Sequence, residues 1–177
     1  LKEILGYAFH GMRKEIFISV STATNDNISL QQQIISTLDT TNSNYVDIFS
    51  IHKDDFVPTL ETHDGLYPTL LSAKADENIK AIGFSTSKLD LARQALESKL
   101  YDVIFLEYSL GDSPLENDIA FFEECKKQEI GLIINYKTPV SDEIDFSLIF
   151  GFLRKHENLV PMWKIKNQED LQQLLYF

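Results

Sequence analysis

Cysteine is nearly absent from this sequence, since Cys125 is the only one among 177 residues. A single cysteine cannot form an internal disulfide, and it excludes a zinc site built from several cysteines. A reducing, cytoplasmic compartment is therefore expected. Cys125 lies in the helical pattern FFEECKK at residues 121–127, where a half-buried structural thiol is a better interpretation than a nucleophile.

Long apolar runs and an excess of positive charge are also lacking. No run reaches the roughly 18 residues that a membrane-spanning helix needs, and no stretch has the pattern of a signal peptide. The net charge is −11, from 16 Lys and Arg against 27 Asp and Glu. This charge repels nucleic acid and anionic membranes, so neither is expected as a partner. A phosphate-bearing ligand would need a local basic pocket, which the sequence does not indicate.

The sequence does contain short, β-branched apolar runs that alternate with helical patterns. Six runs are predicted as strands: 16–20, 45–51, 81–84, 103–106, 131–135 and 159–162. They show little polar alternation, as expected for strands that are buried on both faces. Helices are predicted at 1–10, 30–38, 89–96, 119–127, 146–155 and 170–176, with Ser29 and Ser87 as N-caps.

This order predicts an α/β fold with a parallel sheet and right-handed crossovers. Two architectures fit, an open doubly wound sheet and a (β/α) barrel. No Gly-x-Gly-x-x-Gly or Walker sequence follows any predicted strand, so nothing positively favours a nucleotide-binding open sheet. The longest irregular stretch, residues 53–68, is expected to carry part of a binding surface.

Several segments, in order along the chain, resemble the aldo-keto reductases. The segment at 44–52, NYVDIFSIH, is similar to the family's D-Y-I-D-L-Y-L-I-H, and IKAIGFS at 79–85 is similar to its I-R-x-I-G-x-S strand. Weaker likenesses lie at 13–18, 101–109, 125–133 and 160–171. The resemblance implies an incomplete TIM-type (β/α) barrel in one domain, residues 1–177, with about six parallel strands alternating with helices. It begins at the helix before the family's third strand, so the first two βα units, which carry its catalytic Asp and Tyr, have no counterpart.

The resemblance assigns roles to four residues at or near the ends of strands. His52 matches the catalytic histidine that donates a hydrogen bond to the substrate carbonyl. Ser85 matches the serine that contacts the nicotinamide amide, and Thr86 stands where many members have asparagine. The ring that stacks on nicotinamide would be Tyr136 after a one-residue shift, whereas an ungapped match places Asn135 there. NADP is the cofactor that this resemblance allows.

Other positions depart from the family pattern. Ser21 stands where the family has its catalytic lysine, and a serine carries no charge that could tune a tyrosine acid. Phe105 replaces a glutamine that holds the nicotinamide amide, and phenylalanine offers no hydrogen bond. The loop expected at the pyrophosphate carries three carboxylates at 142–145, and Met162 replaces a glycine. These departures predict the loss of the usual cofactor chemistry.

We therefore expect a divergent domain, a pseudoenzyme that does not perform NADPH-dependent carbonyl reduction alone and acts by binding a small molecule or assembling with a partner. The alternative is an NAD(P)H-dependent oxidoreductase whose N-terminal part is absent from this chain. Six strands cannot close an eight-stranded barrel, so a homo-oligomer or a partner chain is expected to cover the open edges. His52, Asp54, Asp55 and Glu107 could gather at one end, but solvated carboxylates explain them better and no metal site is predicted.

Overall fold

The computed structural model describes residues 11–108, 116–136, 150–151, 153–156 and 158–176. The predicted helix at 1–10, the acidic loop at 142–145 and half of the predicted helix at 146–155 lie outside this range. The strands are β1 (Ser19–Thr22), β2 (Val46–His52), β3 (Ile79–Thr86), β4 (Val103–Tyr108), β5 (Gly131–Tyr136) and β6 (Leu159–Trp163). The helices are α1 (Asn27–Thr41), α2 (Leu66–Ala75), α3 (Leu89–Ser98), α4 (Glu116–Lys127) and α5 (Gln168–Tyr176).

The six strands form one sheet in the order β1-β2-β3-β4-β5-β6, and every neighbouring pair is parallel. Each strand therefore lies beside the strand that follows it in sequence. A doubly wound sheet reverses its strand order at a switch point, whereas a (β/α) barrel adds strands in one direction. This order confirms the predicted incomplete TIM-type barrel, which is an open half-barrel. Within the described residues, β1 and β6 each pair with one neighbour.

One face of the sheet is covered by the helices and holds the main core. Its strand side chains include Phe49, Ile51, Ile82, Phe84 and Ile104, all almost fully buried. They belong to the same buried cluster as helix residues such as Leu30, Leu70, Ala92 and Phe121. Burial of this apolar surface is the main source of stability for the fold.

The other face of the sheet, called here the inner face, lies away from that cluster. Gly83 shows which residues share it, because a Cβ atom built there would lie 2.6 Å from Ser50 Cβ and 3.0 Å from Phe105 Cε2. The register pairs Ser50 with Gly83 and Ser85 with Phe105. Since side chains alternate along a strand, His52, Ser85, Phe105, Glu107 and Asn135 all belong to the inner face.

The capping residues differ from the predicted ones. Asp26, not Ser29, caps α1, because its Oδ1 accepts a hydrogen bond of 2.8 Å from the Ser29 backbone N–H. This bond lowers the pKa of Asp26 from 3.8. The N-cap of α3 is Lys88, which makes no side-chain capping bond. Ser87 was predicted in this role, but its side chain donates a hydrogen bond to Asp54 Oδ2 instead.

Helix α2 was not predicted, because Gly65 and Pro68 indicate a loop. Gly65 is the N-cap with φ 69°, and the Leu66 N–H donates to Asp64 Oδ1 at 2.7 Å. Pro68 is the third residue of the helix, within the first turn, where backbone N–H groups have no partner inside the helix. Proline therefore costs little there, and the loop expected at 53–68 ends three residues earlier.

Arg13 holds the segment before β1 against β2. Its guanidinium donates to Tyr45 O at 2.9 Å, Ser43 Oγ at 2.7 Å and Asp47 Oδ2 at 2.9 Å, and it lies 4.0 Å from the centroid of the Tyr45 ring.

Cys125 is fully buried rather than half-buried, and burial raises the pKa of its thiol to about 12. In the described part of the chain, no helix has the length and apolar character needed to cross a membrane.

Candidate functional site

The carboxyl ends of β2 to β5 bring polar side chains together on the inner face. Backbone register pairs His52 with Ser85, Ser85 with Phe105, and Glu107 with Asn135. Sites in barrels of this type lie at this end of the strands, where loops from successive βα units meet. His52 and Ser85, both predicted as site residues, are therefore neighbours at this end of the sheet.

His52 connects two other side chains. Its Nδ1 lies 3.1 Å from Ser85 Oγ, and its Nε2 lies 3.5 Å from Asp54 Oδ2. Ser85 is 6% exposed, whereas the His52 side chain is 30% exposed. The chain of contacts therefore runs from a buried hydroxyl, through an imidazole at the rim, to a carboxylate.

Asp54 is held by residues that follow β3. Its Oδ1 accepts hydrogen bonds from Thr86 Oγ1 at 2.8 Å and from the Ser87 N–H at 2.7 Å, and its Oδ2 accepts one from Ser87 Oγ at 2.9 Å. Partial burial would raise the pKa of Asp54, but these bonds, together with the charge of His52, lower it to about 2. Asp54 is therefore ionised at neutral pH and fixed relative to His52.

Thr86 and Tyr136, both predicted to bind the cofactor, lie on the helix-covered face. Thr86 is fully buried and donates to Asp54. The Tyr136 ring is stacked on Trp163, with centroids 5.1 Å apart and an interplanar angle of 11°, and burial raises its pKa. Asn135, the other residue considered for the stacking position, belongs to the inner face beside Glu107. The structure thus brings His52 and Ser85 together and separates Tyr136 from them.

Ser21 and Phe105, two of the positions that depart from the family pattern, also lie on the inner face. Ser21 is exposed on β1 and pairs in register with Ser50 on β2. Phe105 is 4% exposed and pairs with Ser85. An apolar ring therefore lies next to the site on the β4 side, and an uncharged hydroxyl lies on the β1 side.

Sequence reasoning missed the environment of Lys53. Lys53 is 5% exposed, its ammonium donates to Asn25 Oδ1 beyond β1, and it lies 5.3 Å from the Phe56 ring. The place of Asp54 at the centre of four polar contacts was missed as well. Its only sequence signal is a carboxylate two residues after a strand-terminal histidine.

This arrangement can donate hydrogen bonds and relay a proton between Ser85, His52 and Asp54. Ser85 and Asn135, both on the inner face, have hydrogen-bonding groups that could hold an amide such as that of nicotinamide. The described ranges contain no group of three or more His, Cys, Asp or Glu side chains arranged to hold a metal ion.

Comparison with known proteins finds its matches among solved structures. No family model matches the sequence, and no curated protein matches it. A protein from Pseudomonas aeruginosa assigned to the aldo-keto reductases matches 97% of this chain and 68% of its own, with 18% identity and a TM-score of 0.78. The holo form of an aldo-keto reductase from Bacillus halodurans matches 99% of this chain and 70% of its own, with 12% identity and a TM-score of 0.78.

An aldo-keto reductase from Klebsiella pneumoniae, solved in complex with NADP and acetate, matches 98% of this chain and 74% of its own. Its identity to this chain is 15% and the TM-score is 0.66. Identities this low show a shared fold and leave the function of this chain open. The chain has the α/β fold of the aldo-keto reductases over nearly its whole length, and it spans about 70% of the length of the structures that it matches.

Proposed function

We propose that this chain is a divergent aldo-keto-reductase-like binding domain that does not carry out NADPH-dependent carbonyl reduction by itself. The main support for the proposal is the identity of Ser21, an exposed serine on the inner face of β1. By the family resemblance, this is the position of the catalytic lysine. A serine cannot lower the pKa of a tyrosine acid by its charge, so the usual proton donor would not be activated.

The cofactor side of the site supports the same proposal. Phe105 lies beside Ser85 and offers only an apolar ring where the family has an amide side chain. Thr86 donates to Asp54, and Tyr136 stacks on Trp163 on the helix-covered face. Binding of NADP would therefore depend on Ser85 and on inner-face groups such as Asn135. A small apolar molecule with one polar group suits the described surface better than a dinucleotide with a diphosphate.

Assembly with a second copy or a partner chain is part of the proposal. Val160 and Met162, on the inner face of β6, are 55% and 38% exposed, and Phe17 precedes β1 with 70% exposed. Apolar side chains at strands with an unpaired edge favour association with further protein surface. We also propose a cytoplasmic location, the default for a chain whose single cysteine cannot form an internal disulfide.

A reductase assay tests this proposal. The purified chain is incubated with NADPH and a panel of aldehydes and ketones, and cofactor oxidation is followed by absorbance. The expected result is no carbonyl-dependent oxidation above the rate without protein. Oxidation that depends on a carbonyl substrate and is lost in a His52→Ala variant would overturn the proposal.

The second candidate is an NAD(P)H-dependent oxidoreductase that works when further protein completes the barrel. The contact between His52 Nδ1 and Ser85 Oγ favours it, because both residues have family counterparts and lie together at the carboxyl ends of adjacent strands. In this case the chain alone would be inactive, and activity would appear only with the partner that supplies the missing acid. Adding back such a partner distinguishes the two candidates.

A further inference from the structure

We propose that Ser85, His52 and Asp54 form a nucleophile–base–carboxylate chain that accepts a small acyl group from an activated ester. The proposal goes beyond the binding function, since it concerns chemistry that needs no nicotinamide cofactor. It rests on two linked contacts, Ser85 Oγ to His52 Nδ1 at 3.1 Å and His52 Nε2 to Asp54 Oδ2 at 3.5 Å. A hydroxyl paired with a base that a third group orients is the arrangement by which serine nucleophiles are activated.

Asp54 fixes the tautomer that this chemistry requires. Asp54 accepts hydrogen bonds from Thr86 and from both the backbone and the side chain of Ser87, so it is a charged acceptor facing His52. The Nε2 atom next to this carboxylate carries the proton, which leaves Nδ1 free to accept the proton of Ser85. The Asp54 carboxylate also stabilises the imidazolium that forms when His52 accepts the Ser85 proton.

The reaction follows from these positions. Ser85 Oγ attacks the ester carbonyl carbon while its proton moves to His52 Nδ1. The ester C–O bond breaks, and the alcohol leaves with the proton from His52. Water then attacks the acyl group on Ser85, with His52 as base again, and the products are the acid and free Ser85.

Burial limits the size of the acyl group. Ser85 is 6% exposed, and the Phe105 side chain lies beside it on the inner face. Phe105 also approaches Gly83, since a Cβ built on that glycine would be 3.0 Å from its ring. The hydroxyl therefore lies beside an apolar wall with little free space, and an acetyl group is expected to react faster than longer acyl chains.

Covalent labelling tests the proposal. The whole chain is incubated with a short-chain fluorophosphonate probe, in which Ser Oγ displaces fluoride, and the product is measured by intact mass and peptide mapping. One added phosphonyl group on Ser85 is expected in the native chain. It should be absent in Ser85→Ala, and the labelling rate should fall at least about 100-fold in His52→Gln, as expected for loss of a general base.

Ser50→Ala is the matched control. Ser50 is a fully buried inner-face serine whose hydroxyl donates to Val20 O, with no hydrogen bond to a histidine among the described residues, so its loss should leave labelling unchanged. Thermal unfolding of each variant shows whether it is folded before its rate is compared. The proposal is wrong if Ser85 is not labelled in the folded native chain, or if it is labelled at the same rate in folded His52→Gln. A burst of p-nitrophenol from p-nitrophenyl acetate, lost in Ser85→Ala, would support it independently.

Discussion

At the scale of single residues, Asp54 joins two parts of the chain that lie more than 30 residues apart. It follows β2 and accepts three hydrogen bonds from Thr86 and Ser87 at the end of β3, and it also faces His52. A charged acceptor with several donors gains more from hydrogen bonding than a neutral one. Asp54 therefore stabilises the loops that form the site as well as orienting the histidine.

The pKa of Asp54 predicts a specific acid dependence. Because the pKa is lowered from 3.8 to about 2 on folding, the stabilisation is fully present above about pH 4 and is lost as the pH falls towards 2. Asp54→Asn should lower the free energy of unfolding at pH 7 by about 1 kcal/mol, a modest value because the carboxylate is partly exposed. Urea unfolding is measured at several values between pH 7 and pH 3. The difference in the free energy of unfolding between the native and variant proteins should become smaller as the pH falls.

Asp55→Asn is the control for this prediction. Asp55 is adjacent in sequence, but its described hydrogen bond is to the exposed N–H of Phe56. Its replacement should change stability little at any pH. The assigned role of Asp54 would be contradicted if the loss in free energy of unfolding caused by Asp54→Asn did not change with pH. It would also be contradicted if both variants lost the same amount.

At the scale of secondary-structure elements, packing between β2, β3 and β4 depends on the absence of a side chain at Gly83. A Cβ atom there would lie 2.6 Å from Ser50 Cβ and 3.0 Å from Phe105 Cε2. Gly83→Ala should therefore destabilise the fold by about 1–3 kcal/mol, as overpacking in a tight interior does. The shift of the urea midpoint measures this change.

Gly151→Ala provides the comparison, because nothing lies within 4 Å of a Cβ built at that position. It should be neutral or slightly stabilising, since alanine favours helix more than glycine does. Equal destabilisation by both changes, or none from Gly83→Ala, would show that the inner face is not packed as described.

The sequence predicted elements that have a strong hydrophobic pattern and missed those that depend on distant contacts. All six strands were found, because each is an apolar run whose length and composition suit a buried parallel sheet. Helix α2 was missed because Gly65 and Pro68 indicate a loop unless their positions in the first turn are known. Asp26 was missed as the cap of α1, since Ser29 is an equally suitable residue type in the pattern.

For the candidate site, the sequence predicted roles for His52 and Ser85 but could not settle which face of the sheet each predicted residue occupies. Moving one residue along a strand transfers a side chain to the other face, so a one-residue ambiguity between Asn135 and Tyr136 changes the site entirely. The same alternation places Thr86 opposite Ser85. The role of Asp54 could not be read from sequence, because its partners come from the loop after another strand.

At the scale of the whole molecule, the open half-barrel predicts association through its edges. Val160 and Met162 are exposed apolar residues of β6, so the native chain should form a dimer or a larger species, measured by light scattering during gel filtration. A Val160→Lys and Met162→Lys double variant should shift this equilibrium towards monomer, because charge on this strand opposes edge pairing.

Leu60→Lys is the matched change away from the edge, because Leu60 is 60% exposed but lies in the loop between β2 and α2. It should leave the association unchanged. A native chain that is monomeric at all concentrations and binds no apolar dye would contradict association through the open edges.

The most direct test of the central claim is titration of the purified chain with NADPH and with NADH, followed by cofactor fluorescence and by calorimetry. The claim is that the chain has the aldo-keto reductase fold without the usual nicotinamide chemistry. It predicts no saturable binding up to millimolar cofactor, because Phe105 offers no hydrogen bond to the nicotinamide amide and the Tyr136 ring stacks on Trp163. Saturable binding with a micromolar Kd, weakened in Ser85→Ala, would contradict the claim and favour an oxidoreductase.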